Sequence, residues 1–341
     1  MLRMSFWQTL PKPFFAMAPM KDVTDPAFRA LIAKYGAPDV FWTEFVSADG
    51  LYHTREIAKM ADSENPLMRD LRYDAAVERP IVAQIFSSKP EMIAYAAKLV
   101  AAQGFDGVDL NMGCPDRSVE KQGAGAALIK TPEIARALIR AAKTSGLPVS
   151  VKTRVGYNKE TLDEWLQAIL EEHPAALALH LRTRKEMSLV PAKWELMRKA
   201  VEMRNRISPE TLLIGNGDVE SVEEGKRLAA ETGCDGVMVG RGMFGNPWVF
   251  AGPSRSNLEE SGQRFDLEGP PVHSIEEKLD ALVELAHSFE AIVPSKNFSI
   301  LKKHIKAFVT GFPGAAELRA KLMDAECATD LERTVRDNPV Y

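Results

Sequence analysis

Eight short apolar runs separated by helical patterns constrain this chain more than any other feature. They are FFAMAP (14–19), VFWTEF (40–45), IVAQIF (81–86), GVDLNM (107–112), PVSVKT (148–153), LALHL (177–181), TLLIGNG (211–217) and GVMVG (236–240). Each is apolar at consecutive positions instead of alternating, as expected of strands covered on both faces. Between most of them lie segments such as PEMIAYAAKLVAAQG and PEIARALIRAAKTSG, opened by proline and closed by glycine. That asymmetry marks helix ends. Eight strand–helix units within roughly 250 residues predict an α/β fold, a (β/α)8 TIM barrel, with a doubly wound open sheet as the structural alternative.

The pattern changes after Phe250. Residues 251–274, AGPSRSNLEESGQRFDLEGPPVHS, are polar and rich in Gly, Pro and Ser and read as a linker. Residues 275–341 carry helical spacing in IEEKLDALVELAHSFEAIV and SILKKHIKAFVTGFPGAAELRAKLMDAE, which predicts a small all-helical C-terminal domain. The barrel is assigned to 1–250. No apolar run is long enough to span a bilayer, and the N-terminus has no long apolar stretch with a small-residue cleavage site. A cytoplasmic protein without membrane partners is expected, acting as a monomer. Three widely separated cysteines, Cys114, Cys234 and Cys327, indicate neither a disulfide framework nor a zinc site, so no metal is expected. A net charge of −4 excludes an overtly basic nucleic-acid binder, and any RNA contact must come from a local patch.

Barrels of this kind do chemistry at the C-terminal ends of their strands. The polar residues there are Glu44, Gln84, Asn111 with Cys114, Lys152 with Arg154, His180 with Arg182, Asn216 with Asp218, and Arg241 beside Gly240, together with Pro19 and Met20 after the first run. Cys114 stands between Gly113 and Pro115, where a strand has ended, a position suited to access and not to burial. Cys234 and Cys327 read as structural. The glycines of GNGDV and GRGMFGNPW, with Arg241, suit an anion approached by backbone amides. Lys152 with Gln84 and Asn111 suits the polar edge of a flavin, the lysine stabilising negative charge on the reduced ring; a Schiff-base lysine is the competing reading.

Together APMKDVTDPAFR (18–29), TEF (43–45), QIF (84–86), DLNMGCP (109–115), GAGAAL (123–128), VKTRVG (151–156), HLRT (180–183), GNGDV (215–219) and GRGMFGNPWVF (240–250) resemble the dihydrouridine synthases. LKKHIKAFVTGFPGAAELR (301–319) resembles that family's helical RNA-binding domain. The resemblance implies an FMN enzyme that uses NADPH to reduce the C5=C6 bond of uridine in tRNA. It carries FMN contacts onto Pro19, Met20, Gln84, Lys152, His180, Asn216, Asp218, Gly240 and Arg241. Asn111 would help position the uracil and the flavin, Arg154 and Arg182 would bind substrate, and Cys114 would be the general acid. A thiol with an ordinary pKa of about 8.5 is mostly protonated at neutral pH yet able to release its proton.

Lys296, Lys302, Lys303, His304, Lys306, Arg319 and Lys321 supply a local basic surplus for RNA phosphates. One stretch departs from the family. After the strand-six histidine the family commonly has a glycine, then an aromatic and a glycine before a tryptophan; here the text is HLRTRKEMSLVPAKW. Flavin binding is expected to survive this change, while the RNA position or class is expected to differ. The alternatives are an FMN barrel acting on rRNA uridine or on a free pyrimidine, similar to dihydroorotate dehydrogenases, and a non-redox phosphate-binding barrel or RNA-binding module.

Overall fold

The computed structural model describes residues 5–251, 273–294 and 296–338. Nine parallel strands form one sheet: β1 (Phe14–Met17), β2 (Phe41–Trp42), β3 (Val46–Ser47), β4 (Ile81–Phe86), β5 (Gly107–Met112), β6 (Val149–Arg154), β7 (Ala176–His180), β8 (Leu212–Asn216) and β9 (Gly236–Val239). Their order is β1-β9-β8-β7-β6-β5-β4-β2, with β3 also paired to β4. A parallel bridge between Ala16 and Val40 joins the first and second staves and brings the sheet round on itself. This is a (β/α)8 barrel. The second stave is broken in two, because Thr43, Glu44 and Phe45, the end of the second apolar run, lie between β2 and β3.

Side-chain parity explains how runs that look uniformly apolar serve two different cores. Val108, Leu110, Val151, Leu177 and Leu179 point outward and join one cluster with the surrounding helices. Phe14, Ala16, Val40, Trp42, Val82, Ala178, Ile214 and Met238 point inward and form a separate cluster, closed at its lower end by Trp7 from a 3₁₀ turn at Phe6–Thr9. Trp7 packs its ring 5.9 Å from Phe14 and 5.8 Å from Trp42.

The helices outside the barrel include α1 (Pro26–Gly36), capped by the Asp25 carboxylate, α2 (Ala48–Tyr52), α3 (Pro66–Asp70), α4 (Pro90–Ala102), α5 (Arg117–Glu120), α6 (Pro132–Lys143), α7 (Leu162–Leu170), α8 (Glu195–Ile207) and α9 (Val222–Thr232). Prolines open α1, α4 and α6, where a missing N–H costs nothing. Most of the expected linker, 252–272, lies outside the described residues. The C-terminal region is helical as expected: α10 (Ile275–Ile292), with a Ser274–Glu277 capping box, α11 (Lys302–Phe308), α12 (Ala315–Leu322) and α13 (Ala328–Arg336), the last beyond the helical spacing seen in the sequence. Leu282, Leu285 and Phe289 of α10 are buried in the same cluster as Phe28, Leu31 and Ile32 of α1. Among the described residues no helix is long and apolar enough to cross a membrane.

Candidate active site

Above the apolar layer, the next inward positions on the same strands are polar. Gln84 follows Val82 on β4, Asp109 and Asn111 lie on β5, Ser150 and Lys152 on β6, His180 follows Ala178 on β7, and Asn216 follows Ile214 on β8. Of these, Gln84, Asn111, Lys152, His180 and Asn216 line a cavity of about 1470 Å³ at the C-terminal mouth of the barrel. All thirteen site residues expected from the sequence line this cavity: Pro19, Met20, Gln84, Asn111, Cys114, Lys152, Arg154, His180, Arg182, Asn216, Asp218, Gly240 and Arg241.

The polar layer is tied by directed hydrogen bonds. Gln84 Nε2 donates to Asp109 Oδ2 (2.7 Å), and Asn111 Nδ2 donates to Gln84 Oε1 (3.0 Å). Ser150 Oγ donates to Asp109 Oδ1 at 2.6 Å. Asp109 thus fixes which end of the Gln84 amide faces which neighbour. Burial pushes its carboxyl up to about 6 against the hydrogen bonds from Ser150 and Gln84. Asp109 and Ser150 are not among the residues expected from the sequence, although the inward parity they share with Asn111 and Lys152 marks them.

Lys152 Nζ lies deep in the barrel, 3.2 Å from Asn216 Oδ1, and Asn216 Nδ2 is anchored on the Met238 carbonyl at 2.8 Å. No carboxylate among the described residues lies within ion-pairing distance of this ammonium. Burial lowers its pKa to about 8, with the nearby Arg154 charge adding to the fall. His180 is driven well below its usual value by burial and by the surrounding Arg154, Lys152 and Arg182, so it is neutral. A cation with no carboxylate among the described residues in ion-pairing range, flanked by amides and a neutral imidazole, suits an electron-rich planar ring that becomes anionic.

Cys114 follows β5 on a loop built from its own motif. Asn111 Oδ1 accepts the Cys114 N–H at 2.9 Å and the Gly113 N–H at 3.2 Å. The Cys114 carbonyl accepts the Ala126 N–H at 2.9 Å, and Gly125 passes beneath it with φ +61°. A Cβ on Gly125 would stand 2.7 Å from the Cys114 oxygen, which accounts for the GAGAAL glycine. The thiol is half-buried beside Phe45, Phe86, Val119 and Ala124, and burial raises its pKa above the ordinary thiol range. It is a proton-bearing thiol facing the cavity.

Two arginines expected to meet substrate line the cavity and are also held as internal struts. Arg154, 6% exposed, donates to the carbonyls of Gly113 (2.8 Å), Thr183 (3.1 Å) and Met187 (2.9 Å), tying the Cys114 loop to the segment after β7. Arg182, 2% exposed, engages the Val190 carbonyl, His180 Nε2 and the Asp218 carboxylate. Their guanidiniums look free in the sequence because backbone partners carry no sequence signal. Asp218 also accepts from Arg241 and from the Ala192 N–H, so its carboxylate organises two arginines. Gly217, at φ +132°, lines the cavity between His180 and Asp218, whereas Gly215 makes room for the Trp194 ring and does not reach the cavity.

The unusual segment after β7 divides in two. Leu181 is buried on the outer face of the barrel, away from the cavity, while Met187, Leu189 and Val190 are exposed, Leu189 at 86%. Among the basic residues expected to meet RNA, two are withdrawn. Lys296 is largely buried, its Nζ 2.6 Å from Glu44 and 3.1 Å from Asp70. His304 is 1% exposed, between the rings of Phe28 and Phe244, and burial lowers its pKa to about 4. Lys303, Lys306 and Lys321 are exposed.

The family profile described as "Dihydrouridine synthase (Dus)" matches residues 16–339. A Staphylococcus aureus (strain MRSA252) protein named "Probable tRNA-dihydrouridine synthase" is 39% identical over 333 residues, covering 95% of this chain and 93% of its own length. A Bacillus subtilis (strain 168) protein named "Probable tRNA-dihydrouridine synthase 2" is 40% identical over 338 residues, covering 98% and 96%.

Proposed function

The chain belongs to the dihydrouridine synthase family, and from that premise we propose that it reduces the C5=C6 bond of uridine in tRNA to 5,6-dihydrouridine, with FMN and NADPH. The observation that carries this reading is a protonated, half-buried thiol sharing one cavity with a lysine that has no carboxylate among the described residues within ion-pairing distance. When bound, FMN supplies the hydride for C6 of the uracil, drawn from NADPH.

The residues of the chain do the rest. Gln84, Lys152 and His180 hold the polar edge of the flavin, with Asn216 orienting the Lys152 ammonium. Pro19 and Met20 border the ring. Gly240 and Arg241 take its phosphate, and Asp218 acts by orienting Arg241. Cys114 delivers a proton to C5, and Asn111 keeps the cysteine backbone in register while addressing the base. Arg154 supports that transfer by holding the Gly113 carbonyl, and Arg182 holds His180. The base must leave its stack to enter so enclosed a site. Exposed lysines of α11 and α12 meet backbone phosphates, a sequence-independent attraction.

The test is to reduce the purified protein with NADPH in the absence of oxygen, add tRNA lacking dihydrouridine, and follow the flavin absorbance. The expected result is rapid return of the oxidised band and dihydrouridine in the recovered tRNA. Reduced flavin that persists with tRNA but is oxidised by ribosomal RNA or a free pyrimidine would overturn the assigned substrate; a protein that binds no flavin would overturn the reaction.

A further inference from the structure

One buried charge cluster lies outside the catalytic set and bridges the barrel to the C-terminal helices. Glu44, at the break between β2 and β3, is 0% exposed. One of its oxygens accepts the backbone N–H of Asp22, and the other accepts from Lys296 Nζ at 2.6 Å across 252 residues of sequence. Lys296 also lies 3.1 Å from Asp70, whose carboxylate is 3.4 Å from Lys21. Asp25 is buried close by, and its carboxylate caps α1 through the N–H groups of Ala27 and Phe28. Lys296 is the enclosed cation in this group; Lys21 and Lys303 reach it from solvent.

The segment held by Glu44 is the loop that borders the flavin. Ala18, Pro19, Met20 and Lys21 line the cavity, and Asp22, directly after them, adopts φ +55°, a left-handed conformation that a non-glycine residue keeps only when its surroundings impose it. An uncompensated carboxylate at 0% exposure is strongly disfavoured. Without Lys296, Glu44 would turn from the Asp22 N–H toward solvent or another donor, and the loop would lose its anchor.

We propose that Glu44 and Lys296 are positioning residues for the flavin: the C-terminal helical region supplies the counter-ion that, through Asp22, fixes the Pro19–Lys21 edge of the cavity, and so completes the cofactor site. This rests on the FMN reading above. It assigns the helical region a role separate from RNA contact.

The test measures FMN affinity by fluorescence quenching on the full-length apoprotein, alongside its melting temperature. Lys296→Met is expected to weaken FMN binding at least tenfold, and Lys296→Arg, which keeps the charge, to stay within threefold of the parent. Lys34→Met is the control. Lys34 joins the same two regions through Glu284 at 2.7 Å, with Tyr35 on the same carboxylate, but does not line the cavity. It is expected to leave FMN affinity unchanged. If Lys296→Met does not fold, Glu44→Asp takes its place: it keeps the charge, cannot span Asp22 and Lys296 together, and is expected to weaken FMN binding similarly. Unchanged FMN affinity in whichever of these two variants is read, or an equal loss in Lys34→Met, would overturn the proposal. No RNA enters the measurement, so the role of Lys296 is tested independently of the substrate.

Discussion

The lower and upper halves of the barrel interior are made by the same strands, yet they are chemically opposite. Val82 and Gln84 on β4, Ala178 and His180 on β7, and Ile214 and Asn216 on β8 differ by two positions, about 7 Å of strand. Below, Phe14, Ile214 and Met238 exclude water and carry no hydrogen-bonding group that needs a partner. Above, every polar group must be met, and the Asp109–Gln84–Asn111 and Lys152–Asn216 chains do this at the cost of burying charge. One half of the barrel is thus free to be chemically demanding because the other half supplies apolar burial. Catalytic variants in the upper half should therefore leave stability almost untouched, and core variants in the lower half should do the reverse.

The sharpest attempt to break this division is Cys114→Ala. Loss of the proton donor is expected to slow dihydrouridine formation by about 100- to 10,000-fold, the usual contribution of general acid catalysis. Single-turnover rates at equal flavin occupancy measure it. The urea midpoint should barely move, since the thiol is only half-buried; a large stability loss here would erase the division. The converse variant is Phe14→Ala, at 0% exposure in the lower layer. It is expected to cost about 3–5 kcal/mol of stability in urea unfolding, the range for a buried aromatic. FMN affinity of the folded fraction should stay near that of the parent, and a flavin site lost before the fold would contradict the separation.

The smallest effect concerns pH. The Lys152 pKa is depressed to about 8 in the folded chain, so between about 8 and the ordinary value near 10.4 the unfolded state binds more protons there. The contribution of Lys152 to apoprotein stability therefore rises with pH through that window and is lost as pH falls through 8. FMN affinity should move the other way and decline above pH 8, as the ammonium is neutralised. Lys152→Met should flatten both trends; parallel curves for stability and affinity would show that Lys152 is not the titrating group.

Much of this is legible in local sequence. The apolar runs mark eight staves, because strands buried on both faces leave a continuous signature whatever their partners. The break of the second stave is not visible there, because Thr43 and Glu44 read as part of the run VFWTEF until Glu44 is seen accepting the Asp22 N–H. The cavity residues stand at strand ends, where barrel topology brings them together. The burial of Arg154, Arg182, Lys296 and His304 is hidden in the sequence for a single reason: a basic residue there looks solvent-bound, and carbonyl, carboxylate or aromatic partners that enclose it come from distant segments.

By itself, then, the sequence determined the repeating units, the polar ring at their ends and the loop position of Cys114, all of which depend on periods of two or 3.6 residues and on neighbouring glycines and prolines. Only tertiary structure decided that Asp109 orients Gln84, that Asp218 restrains two arginines, and that Lys296 reaches back to Glu44. Such pairings depend on strand register, barrel closure and the docking of helices far along the chain, and burial selects the partner that leaves the fewest charges unmet.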